Sequence, residues 1–228
     1  MEYEIEYPTG YILNQDWHRV SKSHYSIENS ELTFQTESVW EEKKSIVTLM
    51  DEREEEEWTW ERPTPLPPYL RAQVVDGELW FCEESWNTGL GYLYLDGLLE
   101  YGTLYQLDMA SGEILCERQT GENEFYLTKI GERFYFYQRG GRWEHAQLYY
   151  RELSDWEEKH ELYQFDYKGA PEETGGGYVL RFIIGEEAIT TEYWNTEVYQ
   201  KVGEYRGDEI YEKTEELLWS KKVALERE

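Results

Sequence analysis

The residues of this sequence best placed to do chemistry are acids set beside tryptophans. In "DEREEEEWTWERP" (Asp51 to Pro63), Glu54, Glu55, Glu56 and Glu57 run directly into Trp58 and Trp60. In "ELSDWEEKHE" (Glu152 to Glu161), Trp156 sits between Asp155 and the pair Glu157 and Glu158. This combination suits cation recognition. Carboxylates take guanidinium and ammonium groups in charge-assisted hydrogen bonds, and an indole face attracts a cation. These residues form the candidate partner-binding set, and a basic protein surface is the partner they suit. The competing reading is that both segments are solvated turns whose tryptophans pack inward.

Other chemistries are poorly represented. The histidines are His18, His24, His145 and His160, and no H-E-x-x-H or C-x-x-C spacing occurs. No D-x-[DN]-x-[DN]-G calcium loop is present, and no G-x-S-x-G elbow. "TGGGYV" (Thr174 to Val179) lacks the Lys-Ser/Thr of a phosphate loop. No catalytic residue, metal ligand or cofactor is therefore expected. A glycosidase needs two carboxylates a few ångströms apart, but with 49 acids in the chain a pair carries no information.

Charge narrows the partners. The 49 acidic and 22 basic residues give a net charge of −27. Such a chain repels nucleic-acid phosphates and anionic membranes, so neither direct nucleic-acid nor membrane binding is expected. "MEYEIEYPTG" has no basic n-region or apolar h-region, and the best apolar run, "YVLRFII", contains Arg181. The expected compartment is the cytoplasm.

The elements that must position these residues are strands. Aromatic residues make up 17% of the chain, which favours β structure. "GELWFCEESW" at Gly77, "GERFYFYQRG" at Gly131 and "GEEAITTEYW" at Gly185 recur at equal intervals, with a weaker relative, "SELTFQTESVW", at Ser30. Each has the apolar and aromatic content of a short strand and follows another apolar segment, as in a hairpin. Two more apolar segments follow each hairpin. Four repeats of four short strands are expected, at approximately 22–62, 68–118, 123–167 and 177–220. Both acidic segments fall between the third and fourth strands of their repeats and are expected to share one rim.

Leu104-Tyr105, Leu107-Asp108 and Ser111-Gly112-Glu113 resemble the "LY-x-LD-x-x-(T/S)-G-(E/K)" pattern of quinoprotein-type bacterial propeller repeats. That pattern ends in a Trp where this chain has Cys116. The resemblance covers one repeat well and implies a β-propeller fold, with no quinone or metal ligands carried over. The expected architecture is all-β, a single β-propeller-like domain over residues 1–228. Five blades are expected, the closing one built from residues 1–21 and 216–228 ("YEIEY" and "GYILN" joining "LLWSKKVAL"). A short C-terminal helix over "TEELLWSKKVALERE" is the alternative. "RPTPLPPYL" (Arg62 to Leu70) is read as a stiff connection, and Trp86 to Gly102 as an insertion. Cys82 and Cys116 fall on strands two apart, roughly 10 Å from each other, too far for a disulfide.

These features favour an acidic interaction module that binds and inhibits a basic partner, such as a nucleic-acid-handling enzyme or toxin. Immunity proteins and phage-coded inhibitors work in this way. A carbohydrate-binding, lectin-like propeller is the alternative, and a small glycoside hydrolase the third reading.

Overall fold

The computed structural model describes residues 3–8, 22–42, 44–62, 69–84, 102–121, 124–139, 145–166, 178–206 and 208–225. These residues form strands and turns, with a single 3₁₀ turn at Trp40–Glu42 and no α-helix among them. The N-terminal strand is β1 (Tyr3–Pro8). The first repeat gives β2 (Lys22–Glu28), β3 (Thr33–Val39), β4 (Lys44–Met50) and β5 (Glu56–Arg62). The second gives β6 (Tyr69–Val75), β7 (Glu78–Glu84), β8 (Thr103–Leu107) and β9 (Ile114–Gln119). The third gives β10 (Glu124–Ile130), β11 (Arg133–Arg139), β12 (His145–Glu152) and β13 (Asp155–Asp166). The last strands are β14 (Tyr178–Ile184), β15 (Ala188–Tyr205) and β16 (Asp208–Ala224).

Each of the first three repeats is an antiparallel four-stranded meander in chain order. The turns explain why the chain reverses where it does. Asp76 and Gly77 both have positive φ (54 and 81), the geometry of the tight hairpin turn that suits strand twist. Gly131 (φ 57) and Asn29 (φ 60) serve the equivalent turns. The first and second sheets join through a short parallel step between their first strands, with Ile27 opposite Ala72 and Glu28 opposite Gln73.

The fourth repeat departs from expectation. Its second and third segments are one strand, β15, and "DEIYEK" and "LLWSKKVA" are one strand, β16. No turn forms near Asn195, because "WNTEVYQ" has no Gly or Pro to reverse the chain; a bulge between Asn195 and Val198 absorbs the irregularity. The chain turns instead beyond Tyr205, where Arg206 has φ 55. The C-terminal segment is therefore a strand rather than a helix. It pairs with β15, while β1 pairs with β14, giving the order β1-β14-β15-β16. The described terminal strands thus complete the fourth sheet instead of building a fifth. "GYILN", the proline connection at 63–68 and most of the proposed insertion lie outside the described residues.

The chain divides into two compact units. The smaller comprises Met1–Leu13, Gly141–His145 and Phe165–Glu228; the larger comprises Asn14–Gly140 and Ala146–Gln164. In the smaller, Val179, Leu180, Phe182, Ile184, Ile189 and Tyr193 are buried. In the larger, the second sheet is covered on both faces. Leu79 and Phe81 pack with Phe34, Val47, Leu49 and Trp58 of the first sheet. Trp80 and Cys82, pointing the other way from the same strand, pack with Tyr126, Phe134, Phe136, Tyr149 and Trp156 of the third. Full burial of such side chains contributes about 2–3 kcal/mol each. Gln73 ties the second sheet to the third: its Oε1 accepts from the Tyr126 hydroxyl (2.6 Å) and the Lys129 N–H (3.0 Å), and its Nε2 donates to the Lys129 carbonyl (3.3 Å). Cys82 and Cys116 are free thiols on β7 and β9, with β8 between them.

One close approach makes a sharp test. Gly112 (φ 72) lies against the Trp58 indole, and a Cβ there would stand 2.6 Å from Trp58 Cδ2. The ring is fixed by its own packing and cannot retreat. Gly112→Ala should therefore lower stability by about 2 kcal/mol or more, read as a drop in the urea midpoint followed by tryptophan fluorescence.

Candidate interaction surface

The first acidic segment is built on an aspartate turn. Asp51 Oδ1 accepts the backbone N–H groups of Arg53 (2.8 Å) and Glu55 (2.7 Å), and Asp51 N–H donates to the Glu55 carbonyl (2.9 Å). Asp108 organises a related turn, one residue longer, in the second sheet. Its Oδ1 accepts from Ala110 N–H (3.0 Å), Ser111 N–H (2.8 Å) and Ser111 Oγ (2.9 Å), which holds its carboxyl below the usual range. The left-handed residue in the second turn is Gly112, whereas in the first it is Glu54 (φ 61). A side chain at such a φ costs roughly 1–2 kcal/mol. Here that conformation holds a carboxylate at the tip of an exposed turn.

Glu54, Glu55, Glu56 and Glu57 are all exposed, the last two at the start of β5. Among the described residues none of the four is in an ion pair, whereas Glu61 further along β5 holds Lys44 at 2.9 Å. Trp58 and Trp60 behave differently. Trp58 is buried, edge-on to Phe34, and its Nε1 donates to the Met109 carbonyl (3.3 Å). Trp60 is half-buried, edge-on to Phe81 and Tyr105 at 5.7 and 5.2 Å. In the second segment Asp155, Glu157 and Glu158 are exposed and belong to β13 itself; the connecting turn is only Leu153-Ser154. Trp156 is buried against Phe134 and Phe136, and its Nε1 donates to the Gln119 carbonyl (2.7 Å). Glu158 lies 3.9 Å from His160.

The structure therefore splits the sequence-derived set. The carboxylates remain outside; Trp58 and Trp156 are core anchors, removed from any partner. The two segments do not converge either. Trp58 meets the second sheet just before β9 begins, and Trp156 meets it where β9 ends. No hydrogen bond or ion pair joins the two segments among the described residues.

A cluster that sequence reasoning missed lies beneath Trp156. The fully buried Glu124 carboxylate pairs with Arg151 Nη2 (2.9 and 3.1 Å), accepts the Gly121 N–H (2.6 Å) and contacts Lys159 Nζ. Arg151 also donates to the Trp156 carbonyl and lies 5.4 Å from its ring. Burial alone would raise the Glu124 carboxyl, but Lys159, the Gly121 N–H and Arg151 more than offset it, and its pKa is lowered. Burial, then the adjacent Glu124 charge, pushes the Tyr149 phenol up. This is an internal brace: the carboxylate is covered by its own cations, and only Lys159 reaches solvent. Nothing in the sequence pairs Glu124 with Arg151, since strand packing alone brings them together. Among the described residues no group of three or more His, Cys, Asp or Glu could hold a metal ion.

No family model matches the chain, and no curated protein matches it. Among solved structures it is similar to BamB from Moraxella catarrhalis, at 10% identity and a TM-score of 0.29. The match covers 72% of this chain and 47% of that one, so the chain spans about half the length of that structure. A likeness at this level fixes neither ring geometry nor function.

The brace has a pH signature. With a folded pKa below its ordinary value of 4.5, Glu124 contributes stability that is fully present above that value and is lost as pH falls through the folded pKa. Glu124→Gln should remove that dependence and, by leaving Arg151 without its counter-charge, cost about 3 kcal/mol at neutral pH. Urea unfolding of both proteins from pH 7 to 3 checks it.

Proposed function

We propose that this protein is a propeller-like scaffold that binds a basic partner protein through surface carboxylates and blocks it, the partner being of the nucleic-acid-handling or toxin class. Successive four-stranded sheets that stack face to face in the larger unit, with a parallel step between first strands, support the propeller-like reading. The observation that carries the function is the Asp51–Glu57 turn. Among the described residues Glu54, Glu55, Glu56 and Glu57 are in no ion pair, and Glu54 holds a left-handed backbone conformation that the related turn of the second sheet gives to Gly112. In a chain of net charge −27 these groups attract a cationic surface over a Debye length and pair with Arg or Lys on contact. With Trp58 and Trp156 covered, recognition rests on the carboxylates. A lectin-like site needs exposed rings, and these two indoles do not supply them.

The partner is sought by affinity capture from the native host at low salt, with elution at high salt and mass spectrometry. Association with the captured basic protein should slow on the order of tenfold as salt rises from low to high. Replacing Glu54–Glu57 with Gln should slow the low-salt rate and flatten that dependence; an unchanged on-rate removes this turn from the interface.

Glu54→Gly separates binding from folding. It should raise stability by up to about 1 kcal/mol by relieving the left-handed strain, while still slowing association. Lower stability, or an unaltered rate, contradicts the assignment.

A further inference from the structure

The fourth sheet carries an arm. Among the described residues β14 pairs with β15 only as far as Asn195, opposite Tyr178, so beyond that point β15 and β16 stand as a two-stranded ribbon. β16, 17 residues long, is the outer strand of the sheet among the described strands. Exposed apolar side chains lie on both faces of the ribbon: Tyr199 is 61% exposed and Tyr211 52% on one, and Ile210 46% on the other, where nothing lies within 4 Å of a Cβ built at its neighbour Gly203. Isolated two-stranded ribbons are marginally stable in water, and a long edge strand with exposed apolar groups is a template for another strand.

The order of residues in β16 identifies that strand. Its exposed apolar pairs, Ile210-Tyr211 and Leu217-Leu218, stand symmetrically about Thr214, and Lys213 and Glu215 flank Thr214 with opposite charges. We propose that β16 pairs antiparallel with β16 of a second copy of this chain, about a two-fold axis through Thr214. In that register Thr214 faces Thr214, Lys213 faces Glu215, Tyr211 faces Leu217, and Ile210 lies toward Leu218, which sits at a bulge. Directly opposed side chains of an antiparallel pair touch, and here they are apolar on apolar and plus on minus. Facing positions differ by an even number of residues, so they project from one side of the sheet, as a two-fold axis normal to it requires. Glu212 and Glu216 are the one like-charged pair.

The ion pairs already on the arm support this register. Lys213 holds Glu197 at 3.6 Å and Arg181 holds Glu215 at 2.9 Å. Bringing Lys213 of one copy to Glu215 of the other links these into one network across the axis. The net charge of −27 opposes association of two copies, so added salt strengthens the pairing by screening. That is the reverse of its effect on a basic partner, which keeps this inference and the proposed function separately testable.

Sedimentation velocity of the full chain should show a monomer–dimer equilibrium that shifts toward dimer with concentration and salt. Tyr211→Lys with Leu217→Lys, both at exposed positions, should weaken it by at least about tenfold. Lys213→Glu and Glu215→Lys should each weaken it alone, and mixing the two proteins should restore it as a heterodimer. Thr214→Cys should oxidise to a disulfide-linked dimer, whereas Glu209→Cys, far from its own counterpart in this register, should not. Monomer at every concentration up to the order of 100 µM, a dimer indifferent to these substitutions, or equal cross-linking at positions 214 and 209 overturns the proposal.

Discussion

Everything in the larger unit depends on β7 being buried from both sides. A strand puts alternate side chains on opposite faces, and Leu79, Trp80, Phe81 and Cys82 are all almost completely covered. A sheet with one wet face satisfies only half of that pattern. The second sheet therefore has to be enclosed, by the first sheet over Leu79 and Phe81 and by the third over Trp80 and Cys82. Two apolar layers sharing one strand make the three repeats a single stacked body, without any need for a disulfide.

The same constraint separates packing from recognition. In each acidic segment the indole turns inward to close a layer, Trp58 on the Gly112 turn and Trp156 on Gln119, and each indole N–H finds a backbone carbonyl. The neighbouring carboxylates are then left on the surface by strand alternation. Acid beside tryptophan here means a fixed ring with a charged rim, rather than a charged cage around an accessible ring. Where a carboxylate does go inside, as Glu124 does, Arg151 and Lys159 accompany it, because an unpaired buried charge would cost several kcal/mol.

Much of this was legible in the sequence, for physical reasons. Short apolar and aromatic runs on either side of turn residues such as Asp76-Gly77 and Gly131 located the hairpins of the first three repeats. The fourth was misread because alternation continues through Val198, and a bulge, which leaves no Gly or Pro signature, replaced the expected turn. Strand alternation places Trp58 and Trp60 on one face, but only the packing against Phe34 and Phe81 shows it to be the inner one. The pairing of Glu124 with Arg151 could not be read at all, since it exists only once β10 and β12 lie in one sheet. The self-symmetry of β16 was present in the letters, but it acquires meaning only when β16 is known to be an edge.

Native-state hydrogen exchange, residue by residue, tests the enclosed strand most directly. If β7 is shared by both apolar layers, its backbone amides exchange only through the largest opening of the larger unit. Denaturant should then speed exchange in the strands of the first and third sheets no later than in β7 and should leave β7 the last to exchange. Amides of β7 that exchange early, while those of β3 or β11 stay protected, would mean that the sheets stand independently and that the stacked body does not exist.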